Sequence, residues 1–192
     1  MDKGKIIFLN GVSSAGKTTL ARTLQQKLDE PYYIFNVDMF LGTGIMLPDK
    51  FATHDIAGWN FLLKSLSGMH HTVKLYSDMG MNVIVDHALT NCVLGKDPKA
   101  LEECIALLND APVLFVHVTC PLDELRRREK ERGDRQIGQA ETQLPILVPQ
   151  ETYDLVVDTY QHTTEECSDK IIKILGCSEK HTAFKTLWAQ YI

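Results

Sequence analysis

Residues 11–18 read GVSSAGKT, a full match to G-x-x-x-x-G-K-[ST], set between the apolar run IIFLN and the segment LARTLQQKL. This pattern carries phosphate chemistry. Gly11 and Gly16 are expected to allow backbone conformations that a side chain forbids, so that successive N–H groups turn inward around a phosphate. That cradle comprises Gly11, Ser13, Ser14, Ala15, Gly16, Lys17, Thr18 and Thr19. The N-terminus of the following helix adds partial positive charge. Lys17 is expected to reach the β- and γ-phosphates of ATP, and the Thr18 hydroxyl to hold Mg²⁺. A guanine-reading N-K-x-D is absent, and DIAG at 55–58 has no apolar strand ahead of it, so a GTPase is disfavoured against a small-molecule kinase.

Such a kinase needs a carboxylate near the acceptor hydroxyl, another near the metal, and cations over the phosphoryl group. Asp38 follows the run YYIFNV and is the candidate base, expected at the end of a strand beside the phosphates. Asp86 closes MNVIVD, the place of a Walker-B-type acid for Mg²⁺, and its neighbour His87 is a substrate contact or a structural histidine. The run RRREKERGDR at 126–135 gathers six basic residues against three acidic ones. On a helix ending near Gly133, Arg128, Arg132 and Arg135 would approach the phosphates, with Arg132 and Arg135 chosen as the contacts. Arg126 and Arg127 are expected at the surface or paired to glutamates.

The elements that must position these groups are visible as an alternation. Five nearly continuous apolar runs, at 5–10, 32–37, 82–87, 112–118 and 154–159, suit strands buried on both faces of a parallel sheet. Helices are expected between them: one from Gly16 to about Leu28, and one carrying Trp59, Leu62, Leu66, Met69, Val73 and Tyr76 with a stop at Gly80. Others open at Asp97-Pro98, at Pro121, at the capping box Thr163/Glu166 ending at Gly176, and at Ser178. This predicts a three-layer α/β domain with its ligand at the carboxyl ends of the strands. Residues 39–55 are irregular and apolar, a candidate binding loop. Met39, Phe40, Met46, Leu47, Phe51 and Trp59 would suit an amphiphilic aromatic acceptor.

At 192 residues the chain fits one domain, with 39–80 as acceptor region and 121–145 as an arginine-rich lid. A hydrophobic share of 44% and a charged share of 23% exclude disorder, and no apolar stretch is long enough to span a bilayer. The N-terminus runs into a strand, which suggests a cytoplasmic protein. Five scattered cysteines form neither a disulfide framework nor a zinc pattern. Net charge of -5 opposes nucleic-acid binding.

The stretches LNGVSSAGKT, FNVDMF, VIVDH, VHVTCPLDELRRREKERGDRQIGQA and YDLVVDTYQHTTEEC, in that order, resemble the chloramphenicol phosphotransferase family of P-loop kinases. The resemblance implies a P-loop NTPase fold of the nucleotide-kinase type, ATP as donor, Mg²⁺, Asp38 as base, and Arg132 and Arg135 in the lid. A kinase for another metabolite or nucleoside, or a nucleotide-binding regulatory protein, stays open as an alternative.

Overall fold

The computed structural model describes residues 2–41, 56–90, 99–133 and 137–191. Five parallel strands form one sheet: β1 (Ile6–Asn10), β2 (Tyr32–Asn36), β3 (Asn82–His87), β4 (Val113–Thr119) and β5 (Leu155–Asp158), in the order β2-β3-β1-β4-β5. All five residues of β1 are buried, as a central strand between β3 and β4 requires. Alternate side chains divide the core into two layers. Ile6, Phe8, Val83, Val85 and Phe115 pack toward α3 (Ile56–Asp78), α4 (Lys99–Leu108) and α8 (Ala183–Tyr191). Ile7, Leu9, Ile84, Leu114 and Val116 pack toward α1 (Lys17–Lys27), α5 (Leu122–Arg132) and α7 (Thr164–Leu175). The domain is therefore the three-layer α/β kinase-like fold that the alternation implies.

Local signals explain the start of α7 and the end of α3. Thr163 Oγ1 accepts the Glu166 N–H at 3.2 Å while Glu166 Oε2 accepts the Thr163 N–H at 2.9 Å, a complete capping box for α7. Gly80 adopts φ +79 and stops α3 as expected. The expectation for Ser178 is corrected: it opens a short 3-10 turn, and α8 begins five residues later. Asp154 serves that helix instead, its Oδ1 accepting the Thr182 and Ala183 N–H groups at 2.8 Å each. A cap supplied from 28 residues away leaves no local trace in the sequence.

A short helix, α2 (Val37–Leu41), follows β2 directly, with Asn36 Oδ1 accepting the Met39 N–H at 2.9 Å. Met39 and Phe40 pack against the core layer under α3 and do not line the large cavity described below. Their assignment to an acceptor surface is therefore corrected. Met46, Leu47, Phe51 and the Trp59 side chain lie outside the described residues. Cys104, Cys120 and Cys167 are buried free thiols, Cys177 is half-buried, and Cys92 lies outside the described residues. Among the described residues, no helix is long and apolar enough to cross a membrane.

Candidate active site

The loop between β1 and α1 folds as its glycines dictate, for two different reasons. Gly16 stands at φ +92, a left-handed conformation that disfavours any side chain. Gly11 has no such φ; it is needed for room, because a Cβ there would lie 2.3 Å from the Val118 carbonyl oxygen. The conformational argument thus holds for Gly16, and close approach of β4 replaces it for Gly11. Ser14 is also left-handed, at φ 61, and its buried hydroxyl has no hydrogen-bond partner among the described residues.

Lys17 and Thr18, the first residues of α1, meet Asp86 at the carboxyl end of β3. Thr18 Oγ1 donates to Asp86 Oδ2 at 2.6 Å; Lys17 Nζ donates to the Val12 carbonyl at 2.8 Å and stands 3.8 Å from Asp86 Oδ1. Lys17 and Asp86 are each 8% exposed, so the ion pair is held largely out of water, where its interaction is little screened. Register explains the placement: Asp86 pairs with Leu9 of β1 on one side and Asn36 of β2 on the other, between the phosphate loop and α2.

A cavity of about 650 Å³ opens over these groups. Ser13, Ser14, Gly16, Lys17, Thr18, Thr19, Asp38, Asp86 and Arg132 all line it, whereas Gly11 and Ala15, expected in the same cradle, do not. Asp38 does not end the strand, as expected, but stands in the first turn of α2, which still brings it to the cavity wall. Arg135 lies outside the described residues.

From α5, Arg128 reaches the phosphate loop. Its Nη1 donates to Thr159 Oγ1 at 3.1 Å and to the Ser14 carbonyl at 3.4 Å, its Nη2 to the Thr159 carbonyl at 3.1 Å, and its Nε to Glu124 at 2.8 Å. Thr159, just past β5, in turn donates to the Ala15 carbonyl at 2.8 Å. Arg127 and then Arg128 draw the Glu124 carboxyl down to about 2, so the acid stays charged to fix both. Arg126 pairs with Glu141 and Asp123, and Arg127 with Glu124 and Glu131, as expected for the outer face. What distinguishes Arg128 is its contact with the distant Thr159 and Ser14, a tertiary fact.

Two further groups escaped sequence reasoning. Glu129 is 1% exposed and accepts the Gly138 and Ala140 N–H groups at 2.8 Å each, fixing the start of α6 (Gln139–Gln143). Gln143, at the end of α6, accepts the Ser13 N–H at 2.7 Å, so its amide sits at the mouth of the phosphate loop.

The far wall of the cavity is apolar: Leu62 and Leu66 from α3, Ala88 and Leu89 after β3, Ala100 of α4, and Ile146. Leu89 is held by Asn10, whose side chain accepts the Leu89 N–H at 2.6 Å and donates to its carbonyl at 3.0 Å. His70 and His87 stand on the same wall. Burial, aided by His71, lowers His70 to about 4. Burial, then His70 and Lys17, puts His87 well below its usual range, against a weak opposing pull from the Ala88 backbone that falls short of hydrogen-bond geometry. Both rings are therefore neutral near pH 7.

Residues 4–176 match the family model described as chloramphenicol phosphotransferase-like protein. A Mycobacterium tuberculosis protein that carries an O-phosphotransferase name is 26% identical over 211 positions, covering 100% of this chain and 91% of that protein. The adenylyl-sulfate kinase of Clostridium acetobutylicum is 23% identical over 189 positions, covering 90% and 84%. Among solved structures, the Mycobacterium tuberculosis APS kinase CysC in complex with AMPPNP and APS superposes with a TM-score of 0.66 at 18% identity, covering 92% and 99%, a likeness of fold. With its phosphate loop, buried Lys17–Asp86 pair and matched span, the chain belongs to the chloramphenicol phosphotransferase-like family and is a P-loop phosphotransferase.

Proposed function

We propose that this protein transfers the γ-phosphoryl group of ATP to a hydroxyl of a neutral small molecule, with chloramphenicol as the first acceptor to test. One observation carries the reading. A single cavity has phosphate-binding groups at one end and, at the other, an apolar wall with two neutral histidines. Among the described residues lining it, the cations are Lys17, Arg128 and Arg132, which come from the phosphate loop and α5. Among the described residues, the apolar end holds no cation to pair with a sulfate, carboxylate or phosphate on the acceptor, whose burial against the leucines would be costly. That argues against an anionic metabolite as acceptor.

In this reading Lys17, Arg128 and Arg132 hold the transferring phosphoryl oxygens, whose charge is spread in a loose transition state. Asp38 accepts the hydroxyl proton as the acceptor oxygen bonds to the γ-phosphorus and the bond to the β–γ bridging oxygen breaks, releasing ADP. Thr18 and Asp86 present a hydroxyl and a carboxylate oxygen 2.6 Å apart, a hard, oxygen-only donor set suited to Mg²⁺. Bound there, Mg²⁺ would neutralise phosphate charge. Arg135 is proposed as a further phosphate contact from the lid.

The assignment of Asp38 is tested by Asp38→Asn. It should leave the Kd for Mg-ATP within about twofold and lower kcat by 10²-fold or more, as loss of a general base does. An equal loss of ATP affinity would make Asp38 part of the metal site instead.

A further inference from the structure

Gln143 holds one of the phosphate loop's own donors. Its Oε1 accepts the Ser13 N–H at 2.7 Å, from 130 residues away in the chain. A backbone N–H can only donate, so the atom it meets is the amide oxygen, and the NH₂ group beside it on the same carbon keeps two donors to spend elsewhere. Among the described residues, that Nε2 donates to none, and it is not buried. Gln143 is a half-buried residue of the cavity wall, so these donors are within reach of a ligand.

The surrounding contacts keep the amide in place. Glu129 of α5 pins the start of α6 through the Gly138 and Ala140 N–H groups, and its neighbour Arg128 donates to the Ser14 carbonyl at 3.4 Å. Together α5 and α6 thus grip two successive residues of the phosphate loop, Ser13 by its N–H and Ser14 by its carbonyl.

Two contacts put the amide at the γ-phosphate end of that loop. The Val12 carbonyl and the Ser13 N–H belong to one peptide unit. Lys17 Nζ, the group suited to the β- and γ-phosphates, donates to that carbonyl at 2.8 Å, so a single peptide carries Lys17 on one side and Gln143 on the other. Beyond Gln143 the chain crosses at once to the acceptor half. A 3-10 turn at Leu144–Ile146 brings Ile146 to the apolar wall, and Leu147 bridges Thr90 just past β3. The amide therefore stands at the border of the two halves, where a phosphoryl group passing in line from one to the other must lie.

We propose that Gln143 positions the transferring phosphoryl group: with Oε1 anchored on Ser13, Nε2 donates to an oxygen of the γ-phosphate. This rests on the reading of the cavity as an ATP-dependent kinase site. Lys17, Arg128 and Arg132 supply charge that attracts any phosphate, whereas an anchored neutral amide supplies direction. Only a nucleotide with a γ-phosphate can engage it, so the amide favours ATP over ADP.

The test measures binding of Mg-ADP and of Mg-AMPPNP to the full chain by calorimetry, with no acceptor present. Gln143→Glu still accepts the Ser13 N–H but has no donor; Gln143→Met has neither donor nor charge, which separates loss of the donor from repulsion. Both variants are expected to weaken Mg-AMPPNP at least 10-fold, the size of a hydrogen bond to a charged group, and to leave the Kd for Mg-ADP within about threefold. Independently, the side-chain NH₂ signals of Gln143 in the wild-type protein should differ between the Mg-ADP and Mg-AMPPNP complexes by ¹⁵N NMR, a comparison that needs no variant to fold. Equal weakening of the two nucleotides, unchanged Mg-AMPPNP affinity in Gln143→Met, or coincident NH₂ signals overturns the role of Gln143 while the kinase reading stands. Failure of the wild-type protein to bind Mg-AMPPNP overturns the ATP-dependent reading itself, and the role of Gln143 with it.

Discussion

Glu129→Ala removes a carboxylate that touches no substrate group, yet it should be among the more damaging single changes on α5. The side chain is 1% exposed, and each of its oxygens accepts a backbone N–H of the α6 start at 2.8 Å. Hydrogen bonds to a charged acceptor contribute about 1.5–3 kcal/mol each, so losing both predicts roughly 3 kcal/mol or more of destabilisation. At about 2–4 °C per kcal/mol for a domain of this size, Tm should fall by roughly 6–12 °C. Glu129→Gln keeps one acceptor oxygen and sets an amide NH₂ against the other N–H, so an intermediate loss is expected. The assay is thermal unfolding by calorimetry, paired with the Kd for Mg-ATP, which should weaken because α6 carries Gln139 and Gln143 to the cavity. A Tm within about 2 °C of wild type in Glu129→Ala would refute the role given to this carboxylate.

Other perturbations follow from the same geometry. Lys17→Ala removes a unit charge that would act on the phosphoryl group at about 4 Å; at an effective dielectric of about 20 this is ~4 kcal/mol, so kcat/KM for ATP should fall roughly a thousandfold. Gly11→Ala should cost about 1–3 kcal/mol in urea unfolding, because its Cβ would meet the Val118 carbonyl at 2.3 Å and β4 would have to shift. His70 titrates near 6.5 in the unfolded chain and at about 4 in the folded one. Below 6.5 the unfolded chain binds the proton and the folded one does not, so stability is full above about pH 6.5 and declines toward pH 4. The loss is on the order of 3 kcal/mol, and His70→Phe should flatten that part of the pH profile measured by denaturant titration.

The fold and the phosphate loop were legible because their determinants are local. Apolar runs marked all five strands, GVSSAGKT marked the loop, and Thr163 with Glu166 marked a cap, each within a few residues. Asp86 was legible because a strand end carries its last acid to the sheet's carboxyl edge. Arg128 groups with Arg132 and Arg135 on the side facing the phosphates, but the contacts chosen are Arg132 and Arg135, because the tie from Arg128 to Thr159 and Ser14 is set by packing across the fold. Asp154, Glu129 and Gln143 act on backbone groups 28, 9 to 11 and 130 residues away, and no periodicity encodes such pairings. The histidine pair belongs with these: His87 was visible as a neighbour of Asp86, but its partner lies 17 residues earlier on another element.

The central claim is that this cavity moves phosphate from ATP to a neutral hydroxyl. Its most direct test is mass spectrometry of products after incubation with Mg-ATP and, in separate reactions, chloramphenicol, adenylyl sulfate, shikimate and gluconate. The account predicts a phosphorylated neutral acceptor that is lost in Asp38→Asn, and no phosphorylation of the three anions. Efficient phosphorylation of an anion, with chloramphenicol untouched, would contradict it.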